Sequence, residues 1–95
     1  MQLEIITPET KIFAGEAEAV QLPGLDGSFQ VLNNHAAIIS ALVAGTVKID
    51  LATAFIADEK TSKYISVDPK LTTIRVEIKG GVMEMLNNKV VVLAE

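Results

Sequence analysis

The sequence predicts an all-β fold, a flattened sandwich or barrel of about eight to ten short antiparallel strands, on three observations. Turn-forming residues punctuate the chain at intervals of about ten residues, among them Pro8, Pro23-Gly24, Asp26-Gly27, Asn33-Asn34, Pro69, Gly80-Gly81 and Asn87-Asn88. The segments between them alternate apolar and polar residues with a period of two. Hydrophobic residues make up 49% of the chain but aromatic ones only 4%, so the core is aliphatic, and 95 residues suffice for one such core.

The elements follow in order. Leu3 to Thr7 is a run of apolar and β-branched residues that Pro8, which has no N–H to give a ladder, ends. From Ile12 to Leu22 the alternation changes phase: Glu16 and Glu18 share one face, which continues as Val20 and Leu22. A bulge near Gly15, or a twist carrying the segment across the sandwich, reconciles the two halves. The glutamates read as a solvated strand face, because acid–base work would require a cleft and a partner. Pro23-Gly24 suits a type II turn and Asp26-Gly27 a second tight turn. Ser28 to Leu32 then forms a strand with Phe29 and Val31 on one face, which makes Phe29 a core residue; an interface anchor is the alternative. Asn33-Asn34 tolerates the left-handed conformation and turns the chain again.

His35 to Ala44 admits two readings, since two asparagines before Ala36 to Ala44 suit a capped helix, whereas the length equally suits a fully buried strand. Thr46 to Leu51 alternates with Val47, Ile49 and Leu51 inward, so Ala44-Gly45 is expected to join two antiparallel strands. Residues 52–72 form an extended hairpin or loop. Thr72 to Lys79 is the clearest amphipathic strand, with Ile74, Val76 and Ile78 inward. Gly80-Gly81 lets the chain bend, and Asn87-Asn88 closes a two-residue hairpin of type I′, which demands positive φ at both positions. Val90 to Leu93 is apolar on both faces and so belongs between two covered surfaces, a sandwich interior or an interface.

The function classes narrow from composition. Twelve acidic against eight basic residues give a net charge of −4, without the basic face that nucleic-acid binding requires. The chain has no cysteine and one histidine, which leaves neither a disulfide framework nor a transition-metal cluster. No apolar run reaches the roughly 18 residues of a membrane span, and the N-terminus lacks the basic-then-apolar pattern of a signal peptide. The reading is a cytoplasmic chain without direct membrane insertion. No nucleophile–base pair can be assembled, so the chain is not expected to be an enzyme. Gly24, Gly27 and Gly80-Gly81 read as turn glycines, since none leads a strand into a helix N-terminus where phosphate would bind. His35 is either a histidine packed at a sheet end or a partner contact.

Three blocks in order, Leu3 to Pro8, Leu22 to Ala37 and Gly80 to Glu95, resemble the N-terminal β-sandwich domain of the epsilon-subunit family of F-type ATP synthases. The resemblance covers the chain apart from about residues 50 to 72. It implies that residues 36–43 form a strand, and that the chain is one domain over residues 1–95. It implies a non-catalytic central-stalk (rotor) subunit that links the gamma subunit to the c ring and couples proton flow to ATP synthesis, peripheral to the cytoplasmic face of the inner membrane. By the same resemblance, Leu25, Asp26, Gly27, Ser28 and Phe29 face the c ring, and His35, Ala36, Ile38, Ile39 and Leu42 lie toward gamma. The chain departs from the family pattern at Asn33-Asn34, where Pro-Gly is usual, at Ala37, where Pro is usual, and at Ser28, where an acidic residue is common. Residues 52–72 exceed the usual connection and read as an insertion. The chain stops at Glu95, where many relatives continue into a two-helix domain that binds ATP in some bacteria; the expectation is a short form that binds no ATP and no cofactor. The rival reading is a free-standing β-sandwich that binds a protein or ligand, with Thr72 to Lys79 as its recognition edge.

Overall fold

The computed structural model describes residues 1–95 and contains strands, turns and no helix. Eight strands form: β1 (Gln2–Ile6), β2 (Lys11–Glu16), β3 (Ala19–Gly24), β4 (Gly27–Leu32), β5 (Ile38–Asp50), β6 (Ile65–Val67), β7 (Thr73–Leu86) and β8 (Lys89–Ala94). They pair in the order β2-β1-β8-β7-β5-β3-β4, with β6 on β7. The all-β expectation holds. Two of its details do not: β1 runs parallel to β8, and β5 and β7 are long, at 13 and 14 residues. The parallel pair is possible because β1 and β8 are not joined directly; each is already hairpinned to another strand.

The length of β5 and β7 makes the sandwich. Their register is unbroken from Ile38↔Met85 to Asp50↔Thr73. Along β7 the buried side chains are Ile74, Val76 and Ile78, then Met83 and Met85, so the inward face changes from even to odd positions. On β5 Leu42 is buried on one side of Gly45 and Val47 and Ile49 on the other, the same change of phase. The β5–β7 ribbon therefore turns its opposite side to the core midway. One layer consists of β2, β1, β8 and the 81–86 and 38–43 halves of the ribbon; the other holds β4, β3, β6 and the remaining halves. Extents of 33 × 27 × 20 Å fit two stacked layers.

Glycine permits the crossover. Gly80 and Gly81 have φ of 140° and 146°, and a Cβ on Gly81 would lie 2.1 Å from the Leu93 carbonyl oxygen. A Cβ on Gly45 would lie 2.8 Å from the Pro23 ring. Ala44-Gly45 is thus not a turn: Gly45 sits within a continuous strand and its bare Cα gives room for Pro23. Pro23-Gly24 is not a turn either, because both residues lie in β3 and the chain reverses at Leu25-Asp26. Proline survives there because the position is left unpaired with β5, which meets β3 at Gln21↔Lys48 and next at Gly24↔Leu42.

Of the two ways to reconcile Ile12 to Leu22, the crossing is the one observed. Pairing with β1 is regular from Gln2↔Glu16 to Ile5↔Phe13, its irregularity falls at Ile5/Ile6, and the chain leaves for the other layer at Ala17-Glu18. Glu16 and Glu18 are exposed. Residues 38–50 are strand rather than helix, since β3 and β7 supply backbone partners on both sides that outweigh local propensity. Asn34, Asn87 and Asn88 have φ of 63°, 51° and 60°, the left-handed conformation their positions predict. In the 52–72 segment β6 pairs with β7 through a turn in which Asp68 N–H donates to Thr73 O (2.9 Å), and Phe55 packs 6.4 Å from Phe13 between ring centroids. The core is a single cluster with no buried polar residue.

Glu4 ties three strands together on the surface, with Lys89 Nζ at 2.9 Å and Lys11 Nζ at 3.6 Å. The hydrogen bond and charge of Lys89, aided by Lys11, hold its carboxyl below the usual carboxylate range. A carboxylate depressed on folding adds stability that is complete above its unfolded pKa and lost as pH falls through the folded one. Urea melts between about pH 3 and 7 should therefore show Glu4→Gln destabilised near neutrality, with the difference from wild type closing on the acid side. A difference that persists unchanged into acid would remove this ion triad from the pH dependence.

Candidate partner-binding surfaces

Two surfaces lie at different places on the frame. The first is the β3–β4 hairpin tip. Gly27 has φ of 120° whereas Leu25 and Asp26 have ordinary negative φ, so glycine absorbs the reversal just after a two-residue loop. Leu25 is 68% exposed, Asp26, Gly27 and Ser28 are exposed, and Leu25 N–H donates to Ala41 O (3.2 Å), tying the tip to β5. Phe29 is half-buried and packs against the core, with its ring so close over Gly24 that a Cβ there would lie 2.8 Å from it. Phe29 thus shares an inward face with buried Val31, as the alternation predicts.

Strand β4 spans roughly 20 Å from this tip to the Asn33-Asn34 turn at the opposite end. There Asn34 N–H donates to Asn88 Oδ1 (2.7 Å) and His35 N–H to Leu32 O (3.1 Å). His35 is exposed, with Nδ1 2.8 Å from Ala36 O, an arrangement in which the ring nitrogen donates. Ala36 is exposed as well. The five residues from His35 to Leu42 singled out by sequence do not share one face. Ile39 is 72% exposed, whereas Ile38 packs partly against the core and Leu42 is buried.

The second surface was only half visible in the sequence. On the outer face of the β5–β7–β8–β1 layer, Ala41, Val82, Leu93 and Ile6 stand side by side in register, and the next row is Ile39, Glu84, Val91 and Glu4. Val82, Leu86 and Leu93 are each about half exposed. Val90 to Leu93 is therefore covered on one face only: Val90 and Val92 are buried and Leu93 is not. Its two-sided apolarity was the signal for this surface. Val82 and Leu86 gave none alone, because they alternate with buried Met83 and Met85 across the glycine-induced change of phase. The result is an apolar strip across four strands, bordered by the Glu4 ion triad, whose extent exceeds scattered surface hydrophobes.

The family profile described as ATP synthase, Delta/Epsilon chain, beta-sandwich domain, matches residues 1–95. The chain is 33% identical over 94 residues to the ATP synthase epsilon chain of Chlorobium limicola, covering 99% of this chain and 88% of that one. It is 38% identical over 95 residues to that of Sulfurimonas denitrificans, of which it spans 60%. It is 32% identical over 94 residues to that of Desulforamulus reducens, of which it spans 58%. In structure it is similar to a chain in the central stalk/c-ring of the Tetrahymena thermophila mitochondrial ATP synthase, with a TM-score of 0.70 at 14% identity over 98% of this chain and 61% of that one, a likeness of fold. A profile match along the whole chain, relatives above 30% identity and a sandwich of the same shape agree, and the chain belongs to the family of ATP synthase delta/epsilon chains, as its β-sandwich domain.

Proposed function

We propose that this chain is a central-stalk, rotor subunit of an F-type ATP synthase that links the gamma subunit to the c ring and couples proton flow to ATP synthesis, without catalysing a reaction itself. It works at the cytoplasmic face of the inner membrane, as a peripheral subunit. Beyond family membership, the observation that carries this reading is the separation of two exposed surfaces on one frame: the β3–β4 hairpin tip at Leu25-Asp26 for the ring, and the outward residues His35, Ala36 and Ile39 with the apolar strip for gamma. Leu42 and Ile38 support the strip from beneath. The rival reading loses its recognition edge, because Thr73 to Ile78 is paired with β5 on one side and in part with β6 on the other.

Co-purification separates the contacts. Ile39→Asp combined with Leu93→Asp should abolish retention by gamma while the isolated chain stays folded, since both side chains already face water. Asp26→Lys should keep gamma, fold normally and weaken assembly on the ring or coupled proton pumping, because charges at a rim set register more than affinity. A double variant that still binds gamma, or an Asp26→Lys complex that assembles and pumps normally, would overturn the corresponding contact.

A further inference from the structure

The outer face of the second layer differs from that of the first. In register across it stand Gln21 of β3, Lys48 of β5, Arg75 of β7 and Ser66 of β6. Lys48 and Arg75 are directly opposite on neighbouring strands, where like charges repel. Arg75 shares its charge with Asp68, 3.2 Å away, while Lys48 has no ion-pair partner. Asp68 offsets the repulsion on the Arg75 side, but the Lys48 charge is left without a carboxylate opposite it.

Beside the pair the ladder opens. Because Pro23 has no N–H to donate, β5 residues 43–47 stand opposite only Leu22 and Pro23, and an open notch of about 560 Å³ results. Its polar lining side chains are Gln21, Ser28, Thr46, Lys48 and Arg75. No aspartate or glutamate lines it, in a chain whose 12 acidic residues outnumber its 8 basic ones. Two carboxylates contact lining residues, Asp68 accepting from Arg75 and Glu77 accepting from the Thr46 hydroxyl. Gln21, Ser28, Lys48 and the rest of the Arg75 fork keep donors free for a ligand, whereas the single hydroxyl hydrogen of Thr46 is given to Glu77.

We infer that this notch is a binding site for a phosphate-class oxyanion, held between the Lys48 ammonium and the Arg75 guanidinium. A tetrahedral oxyanion takes several donors at once, Arg offers a planar fork and Lys a point charge, and the bound charge relieves the repulsion between them. Both cations remain partly solvated, so affinity is modest, with a dissociation constant on the order of 1 mM. Gly24, Gly27 and Ser28 form one wall, which places the anion at the base of the Leu25-Asp26 hairpin. The inference stands on the notch itself and does not depend on the rotor reading. The same chemistry is offered by free phosphate and by the phosphodiester of an anionic lipid.

The test is amide NMR of the whole 95-residue chain at constant ionic strength, titrated with inorganic phosphate and, in a second arm, with phosphatidylglycerol or phosphatidylcholine vesicles. The expected result is a saturable shift confined to Gln21, Gly45, Thr46, Lys48 and Arg75. Lys48→Gln and Arg75→Gln should each weaken it about tenfold or more. Lys48→Gln should melt no lower than wild type, since it removes one of two repelling charges, so lost binding is not lost folding. A response to inorganic phosphate alone marks a free anion as the ligand; one to phosphatidylglycerol but not phosphatidylcholine marks a lipid headgroup. Absence of saturable shifts at these residues in both arms, or binding undiminished in both variants, overturns the site.

Discussion

Gly81→Ala is expected to leave no cooperatively folded protein at room temperature. The new Cβ would stand 2.1 Å from the Leu93 carbonyl oxygen and 3.0 Å from the Ala94 Cα, and because both are backbone atoms no side-chain rotation relieves the contact. Gly81 also holds a φ of 146°, a conformation that costs a residue with a Cβ about 1–3 kcal/mol by itself. Relief requires parting Val82↔Leu93 and Gly81↔Ala94, the outer rungs of β7 on β8, in a domain whose whole stability is about 5–10 kcal/mol. Gly27→Ala is the control: its φ is 120° but its Cβ would meet nothing within 4 Å, so only conformational strain is added. Circular dichroism melts should show Gly27→Ala with a lowered but sharp transition and Gly81→Ala with none. A Gly81→Ala protein melting close to wild type would mean that β7 does not cross between layers at this residue.

Leu3→Ala is expected to cost about 3–5 kcal/mol, seen as a fall in urea midpoint at unchanged slope and a melting temperature lowered by roughly 15 °C or more. Leu3 is fully buried in β1, paired with Val90 of β8 and Gly15 of β2, and its neighbours cannot collapse into the space without breaking one of those ladders. Leu93→Ala, on the opposite face of the same layer, should change stability by less than about 0.5 kcal/mol. The contrast reads out which side of this layer is core. A Leu93→Ala protein destabilised as much as Leu3→Ala would mean that the apolar strip is internal to the fold rather than offered to a partner.

The strands and hairpin turns that hydrogen-bond locally were legible in the sequence. Asn87-Asn88 and Asn34 declare themselves because few side chains tolerate the left-handed conformation. Ile74, Val76 and Ile78 declare a buried face because period two has one meaning in a paired strand. What local chemistry could not disclose was continuity. Gly45 and Pro23 look like breaks, yet each lies within a strand because the other is there: the bare Cα of one receives the ring of the other. The same holds for the surfaces. Leu25 and Asp26 are recognisable as a tip, but Leu42 and Ile39, three residues apart on one strand, separate into core and surface only once the phase of β5 is known. The apolar strip gathers Ile6, Ala41, Val82 and Leu93 from four strands, a juxtaposition set by register rather than by any one segment.

The parallel pairing of β1 with β8 also sets the order in which the chain can fold as it is made. Residues 2 to 6 receive their partner only when residues 89 to 93 have been synthesised. At about 5–20 residues per second, that leaves β1 for some seconds with β2 alone beside it and with Leu3 and Ile5 uncovered on the side β8 will take. A two-stranded hairpin has marginal stability in water, so the nucleus is expected in the β5–β7 ribbon and the β3–β4 hairpin, with closure of the terminal strands as the late step. Contacts between such distant residues place refolding at the slow, millisecond-to-second end for a domain of this size, with the unpaired edge of β1 as the point at which nascent chains are most exposed to association.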